Sequence, residues 1–135
     1  MNKKAFQAIA SKIEETGRFN LNFYIGAPDG KKGAEVFDET CGTTACIAGW
    51  ANYLVLGRPI DEDEALDIGK AAKFLGINDD QAQRLFYAFH DSVWCEVAVR
   101  FEWETWDGEI VGWERISPQQ AATVMREIAS GKIKL

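Results

Sequence analysis

The chain is 135 residues long, 47% hydrophobic and 27% charged, with a formal net charge of -6 and a pI near 4.8. A chain of this length buries roughly two thirds of the surface its unfolded form exposes, so one compact domain over residues 1–135 is expected, and the composition excludes disordered and fibrous classes. Acidity disfavours direct binding to nucleic acid or to an anionic membrane, both of which are recognised by Lys and Arg contacts to phosphate, and favours a basic partner.

The start, MNKKAFQAIASKIEETG, lacks the apolar run and small-residue cleavage site of a secretory signal. The longest uncharged run, Thr40 to Gly57, is broken by Thr43, Thr44, Asn52 and three glycines, and falls short of the ~20 apolar residues that span a bilayer. Three cysteines, an odd number, fit reduced thiols in a cytoplasm better than a disulfide framework. A cytoplasmic chain with no membrane segment is therefore expected, and nothing in the sequence calls for a cofactor or sets an oligomeric state.

The fold class expected is mainly α: about five helices with a small β-hairpin near residues 96–116, in a single α+β domain. The first helix spans about Lys3 to Thr16, with Phe6, Ile9, Ala10 and Ile13 on one face and Gly17 as its stop. The stretch RFNLNFYIGAPDGKKGAEVFDET then places the turn residues Pro28, Asp29 and Gly30 between apolar segments, as a short hairpin or an irregular loop. A second helix, opened by Thr43 or Thr44 and ending near Gly57, is apolar nearly all round. It carries Ile47, Trp50, Ala51, Leu54 and Val55, with a stripe of small residues at Ala45, Ala48, Gly49 and Asn52, so it is expected at the centre of the fold.

The acids Asp61 to Glu64 suit the positive end of a third helix, whose inner face is Ala65, Ile68, Gly69, Ala72 and Leu75. Asn78 with Gln81 forms a capping-box pattern for a fourth, with Ala82, Leu85, Phe86 and Phe89 inward. The last helix opens on Ser117, Pro118 and Gln120, buries Ala121, Val124, Met125 and Ile128, and stops at Gly131. Before it, Val97, Val99, Phe101 and Trp103 alternate with Ala98, Arg100, Glu102 and Glu104 at strand spacing, and Asp107-Gly108 is a favoured two-residue hairpin turn. That turn sets Trp103 opposite Gly112 and Glu102 opposite Trp113, leaving Val111 and Trp113 on the acidic face; a slip of one residue reverses the faces.

Four constellations carry chemistry. With Thr43 as cap, Cys46 falls in the first turn of the second helix, where free amides and the dipole favour a thiolate. With His90, the only histidine, Cys46 or Cys41 makes a candidate nucleophile–base pair, against which stands the ordinary burial of cysteine in cores. Cys41, Cys46, His90 and Cys95 form two pairs with four residues between members, a legitimate Cys3His zinc set; the plainer assignment is core thiols and a histidine near a helix end. AAKFLGINDDQAQRLFYAF has the cadence of a helix-turn-helix, yet Asp79 and Asp80 stand where a recognition helix meets DNA, which favours an ordinary αα-hairpin.

The fourth is a protein-binding surface. Trp94, Phe101, Trp103, Trp106 and Trp113 crowd together with Glu96, Glu102, Glu104, Asp107, Glu109 and Glu114, and tryptophans rimmed by charge resemble interface anchors. Core filling is preferred for Trp103, and a binding role falls to Glu102, Glu104, Trp106 and Trp113.

CGTTACIAGWA, Cys41 to Ala51, resembles a motif of small bacterial and phage proteins that carry Cys-Gly-Thr-x-x-Cys-x-Ala-Gly-Trp, with further similarity in AAKFLGINDDQAQRLFYAF and in a closing helix that ends in glycine. The resemblance covers about half the chain and implies no activity. Some members of the group carry histidine at the position of Ala45, and its absence here weakens a local Cys/His chemistry. The function expected is that of a bacterial or phage accessory protein whose acidic, Trp-bearing hairpin binds a basic protein surface, with a thiol-dependent enzyme as the alternative.

Overall fold

In the computed structural model, which describes residues 1–20, 25–26, 36–37, 44–87, 91–107, 109–111 and 115–135, the chain is mainly helical, and its described residues form seven helices and three two-stranded antiparallel ladders. Helix α1, Lys3–Thr16, is capped by Asn2, whose side chain accepts from the Ala5 N–H, and it buries Ala5, Phe6, Ile9, Ala10 and Ile13. Ile25–Gly26 (β1) and Val36–Phe37 (β2) do not pair with each other, so the local hairpin considered for this stretch is not what they form. β1 pairs with Thr44–Ala45 (β3), whereas β2 pairs with the later Ile60–Asp61 (β4).

Helix α2, Ile47–Leu56, starts two residues later than a Thr44 cap implies, because the β1–β3 ladder holds residues 44–45 extended and Cys46 itself takes the cap position at φ -75°, ψ -178°. Thr43 lies outside the described residues. As expected, α2 sits at the centre: Ile47 through Asn52 are all buried. Phe37 packs edge-on against Trp50 and Tyr53, with centroids 4.8 and 4.9 Å away, and the Trp50 indole N–H donates to the Arg18 carbonyl at 2.5 Å.

The expected third helix is two. Helix α3 is Glu62–Ala65 and α4 is Ile68–Leu75, split because Asp67 caps α4 by accepting from the Lys70 N–H. Asn52 secures the corner: fully buried, it donates to the carbonyls of Glu64, Ala65 and Asp67 at 2.9, 3.4 and 3.0 Å. Gly69 is consequently exposed, and the inner face of α4 is Ala71, Ala72 and Leu75.

The chain reverses at Gly76, where φ is +65° and an added Cβ would lie 2.9 Å from the Asn2 backbone nitrogen, so a side chain is excluded on two counts. Here the Asn2 N–H donates to the Leu75 carbonyl at 2.7 Å and its side chain to the Phe74 carbonyl at 3.1 Å. One asparagine thus starts α1 and closes α4.

Helix α5, Asp79–Phe86, has the expected Asn78–Gln81 capping box, and α6, Val93–Val97, is opened by Ser92. Thr105–Trp106 (β5) and Glu109–Ile110 (β6) form the hairpin, and α7, Pro118–Ser130, has the Ser117–Gln120 capping box. Helices α1 and α7 make the most extensive helix pair, joined at the surface by Arg126 and Glu14 at 2.6 Å. Phe6, Ile9, Ile13, Trp50, Leu75, Leu85, Trp94, Met125 and Ile128 belong to one core cluster and are wholly buried. No helix among the described residues is long and apolar enough to cross a membrane.

Candidate functional site

The segment expected as a strand over residues 97–104 is instead the end of a helix. Trp94, Val97, Ala98 and Phe101 face inward at i, i+3, i+4 and i+7, while Val99 is 87% exposed. After α6 the backbone continues in helical turns and closes with a Glu102 N–H bond to the Val99 carbonyl, 3.2 Å, and a Trp103 N–H bond to the Ala98 carbonyl, 2.9 Å. This is a Schellman ending, in which the left-handed position usually held by glycine is filled by Glu102 at φ +59°.

The hairpin itself is shorter than expected but keeps the expected register. Thr105 lies opposite Ile110 and Trp106 opposite Glu109 across Asp107, which has φ +51° as a two-residue hairpin turn requires. The Val111 N–H donates to the Glu104 carbonyl at 2.8 Å, extending the pairing by one step. Alternation then puts Ile110 on the buried side, at 4% exposure, and Glu104, Trp106 and Val111 on the outer side. Trp113 and Gly112 lie outside the described residues, so the Glu102–Trp113 and Trp103–Gly112 pairings do too.

The base of the hairpin is held firmly. Trp103, half-buried, stacks on Phe101 at 5.0 Å and 19°, and its indole N–H donates to Gln120 Oε1 at 3.0 Å, the same oxygen that accepts from the Ser117 N–H in the cap of α7. Arg100 lies 4.9 Å over the Phe101 ring and pairs with Glu127 of α7, which Lys132 also meets at 2.9 Å. Burial pushes the Glu127 carboxyl up, but hydrogen bonds and charge from Arg100 and Lys132 together outweigh it, and the group sits below its ordinary value.

At the tip the picture inverts. Trp106 is 79% exposed, whereas Trp50 and Trp94 are wholly buried with their N–H groups on backbone carbonyls. The acids are unequal: Glu96 pairs with Arg84 and Glu104 with Arg115 at 3.1 Å, leaving Glu102 and Asp107, among the described residues, without an ion-pair partner. Sequence alternation missed Val99, whose exposure adds to the apolar surface of the same segment. Helical spacing counted from Trp94 is the signal that finds it.

The thiol constellation is only partly within view, since Cys41 and His90 lie outside the described residues. Cys46 is buried, as cysteine in a core is expected to be, and sits at the cap of α2 rather than in its first turn; burial pushes its thiol up, and the backbone amides of Gly49 and Ala48 pull it back only in part. That opposes a thiolate at neutral pH. Cys95 is half-buried on α6, and neither Cys46 nor Cys95 is in a disulfide. Among the described residues no group of three or more His, Cys, Asp or Glu side chains converges as metal ligands.

Helices α4 and α5 follow one another through the short turn at Gly76 to Asn78, with Asp79 and Asp80 exposed at the start of α5. Its second helix is engaged elsewhere: Gln81 and Arg84 donate to the carbonyls of Leu135 and Lys134, and Arg84 also reaches the Asp91 carbonyl and Glu96. Comparison with protein-family models, curated proteins and solved structures returns no match.

Proposed function

We propose that this chain is a cytoplasmic accessory protein of a bacterium or its phage that binds a basic protein surface through the hairpin residues Glu102, Glu104, Trp106 and Trp113. The observation that carries the reading is the 79% exposure of Trp106 at the tip of a hairpin whose base is pinned to α7. An exposed indole costs free energy in water and gains it on burial against a partner, and a rigid base lowers the ordering cost of binding. Glu102 and Asp107, uncommitted to ion pairs among the described residues, supply the charge that orients a basic partner.

The test is binding of an Arg-rich peptide, and capture of partners from the native host, by the wild-type chain and by a quadruple variant carrying Glu102→Gln, Glu104→Gln, Trp106→Ala and Trp113→Ala. Loss of both at an unchanged circular dichroism spectrum is expected. Retained binding by a folded variant overturns the reading.

A further inference from the structure

An open groove of about 530 Å³ is lined by Val55 of α2, Asp67 and then Gly69, Lys70, Lys73 and Phe74 of α4. Val55 is 41% exposed and Phe74 half-buried, so the lining offers apolar surface to a ligand. Its size falls within the range of about 300–1,000 Å³ typical of ligand clefts, enough for an indole. Two cations border it: Lys73 has no ion pair among the described residues, and Lys70 meets Asp67 only at 3.7 Å with both side chains well exposed. The groove is thus apolar within, and its border carries two lysines against the one carboxylate of Asp67.

The hairpin is its complement: one exposed tryptophan next to Asp107 in the turn, with Glu102 four residues before it, and neither acid in an ion pair among the described residues. We propose that the groove receives Trp106 from a second copy of this chain, with Lys73 and Lys70 meeting Glu102 and Asp107. The inference rests on the reading of the hairpin as a binding element and names one partner for it. Because tip and groove are different surfaces, the contact is head-to-tail, so each added copy leaves one free hairpin and one free groove. A tip-sized contact buries less than a standard interface and exchanges readily, which leaves the terminal hairpin available to a basic partner.

Head-to-tail geometry has a distinctive signature in sedimentation. The wild-type chain should gain weight-average mass between about 20 µM and about 1 mM, the range of a weak contact. Trp106→Ala alone, and a groove variant carrying Val55→Asp with Lys73→Glu, should each stay monomeric, while an equimolar mixture should form a dimer and nothing larger, since only one productive pairing remains. A wild-type chain that is monomeric at about 1 mM, a single-face variant that associates like wild type, or a mixture that stays monomeric overturns the inference. Arg-rich peptide binding measured on the same folded proteins separates the two readings: its persistence in the groove variant, with no self-association in the wild type, removes this inference and leaves the hairpin reading standing.

Discussion

The corner where α2 meets α3 and α4 and the arm that carries Trp106 both depend on polar side chains, in opposite settings. At the corner a single amide, Asn52, is wholly buried and serves three carbonyls. On the arm, Glu104 and Arg115 meet in the open, more than half exposed on each side. Water competes for the second pair and is excluded from the first, so the corner's hydrogen bonds contribute to stability while the arm's exposed charges stay available to a partner. The same contrast runs through the tryptophans, buried at Trp50 and Trp94, open at Trp106.

Tryptophan replacement gives the widest test of that contrast. Trp94→Ala should cost about 3–5 kcal/mol in urea denaturation, whereas Trp106→Ala should change stability by no more than about 0.5 kcal/mol. Comparable losses at the two sites would erase the distinction. Next in size, Asn52→Ala should cost about 2–3 kcal/mol, because it strands buried carbonyls. Asn52→Asp should be worse at neutral pH and recover on acidification, since only the protonated acid donates a bond to that cluster.

The arm's anchor gives a smaller, pH-dependent effect. The Glu127 carboxyl lies below its ordinary value in the folded chain, so its stabilising contribution is complete above the unfolded pKa of about 4.3 and is lost as pH falls through the folded value. The stability gap between wild type and Glu127→Gln should therefore narrow as pH drops below about 4; a gap that widens would refute the sign. Smallest of all, Glu102→Gly should raise stability by about 0.5 kcal/mol, since glycine relieves a left-handed position at some cost in unfolded-chain entropy. Weaker peptide binding by that more stable variant would sharpen the assignment of Glu102 to recognition rather than folding.

What was legible in advance was local chemistry. The caps at Asn78–Gln81 and Ser117–Gln120 and the stops at Gly17, Gly57 and Gly131 depend on neighbours a few residues apart, and they stand where the pattern puts them. The α6 segment reads as a strand in the sequence because Val97 and Phe101 satisfy both a period of two and a helical spacing from Trp94, and burial of the adjacent Val97 and Ala98 decides for the helix. The start of α2 and the break between α3 and α4 depend on partners distant in sequence, β1 in one case and Asn52 in the other. In the sequence Asn52 reads only as a small residue, because its three acceptors lie 12 to 15 residues further along the chain. The hairpin register followed from the Asp107 turn, but the exposure of Trp106 depends on how far α6 carries the chain before it turns.

The pairing of α1 with α7 also sets a timetable. Their surface link, Arg126 to Glu14, joins residues 112 apart. At about 5–20 residues per second of synthesis, the roughly 100 residues between the two helices take about 5–20 s to emerge. Throughout that interval Phe6, Ile9 and Ile13 lack the α7 face against which they finally settle. The nascent chain therefore carries an open apolar stripe for millions of times longer than a helix takes to form, and its last helix closes the core opened by its first.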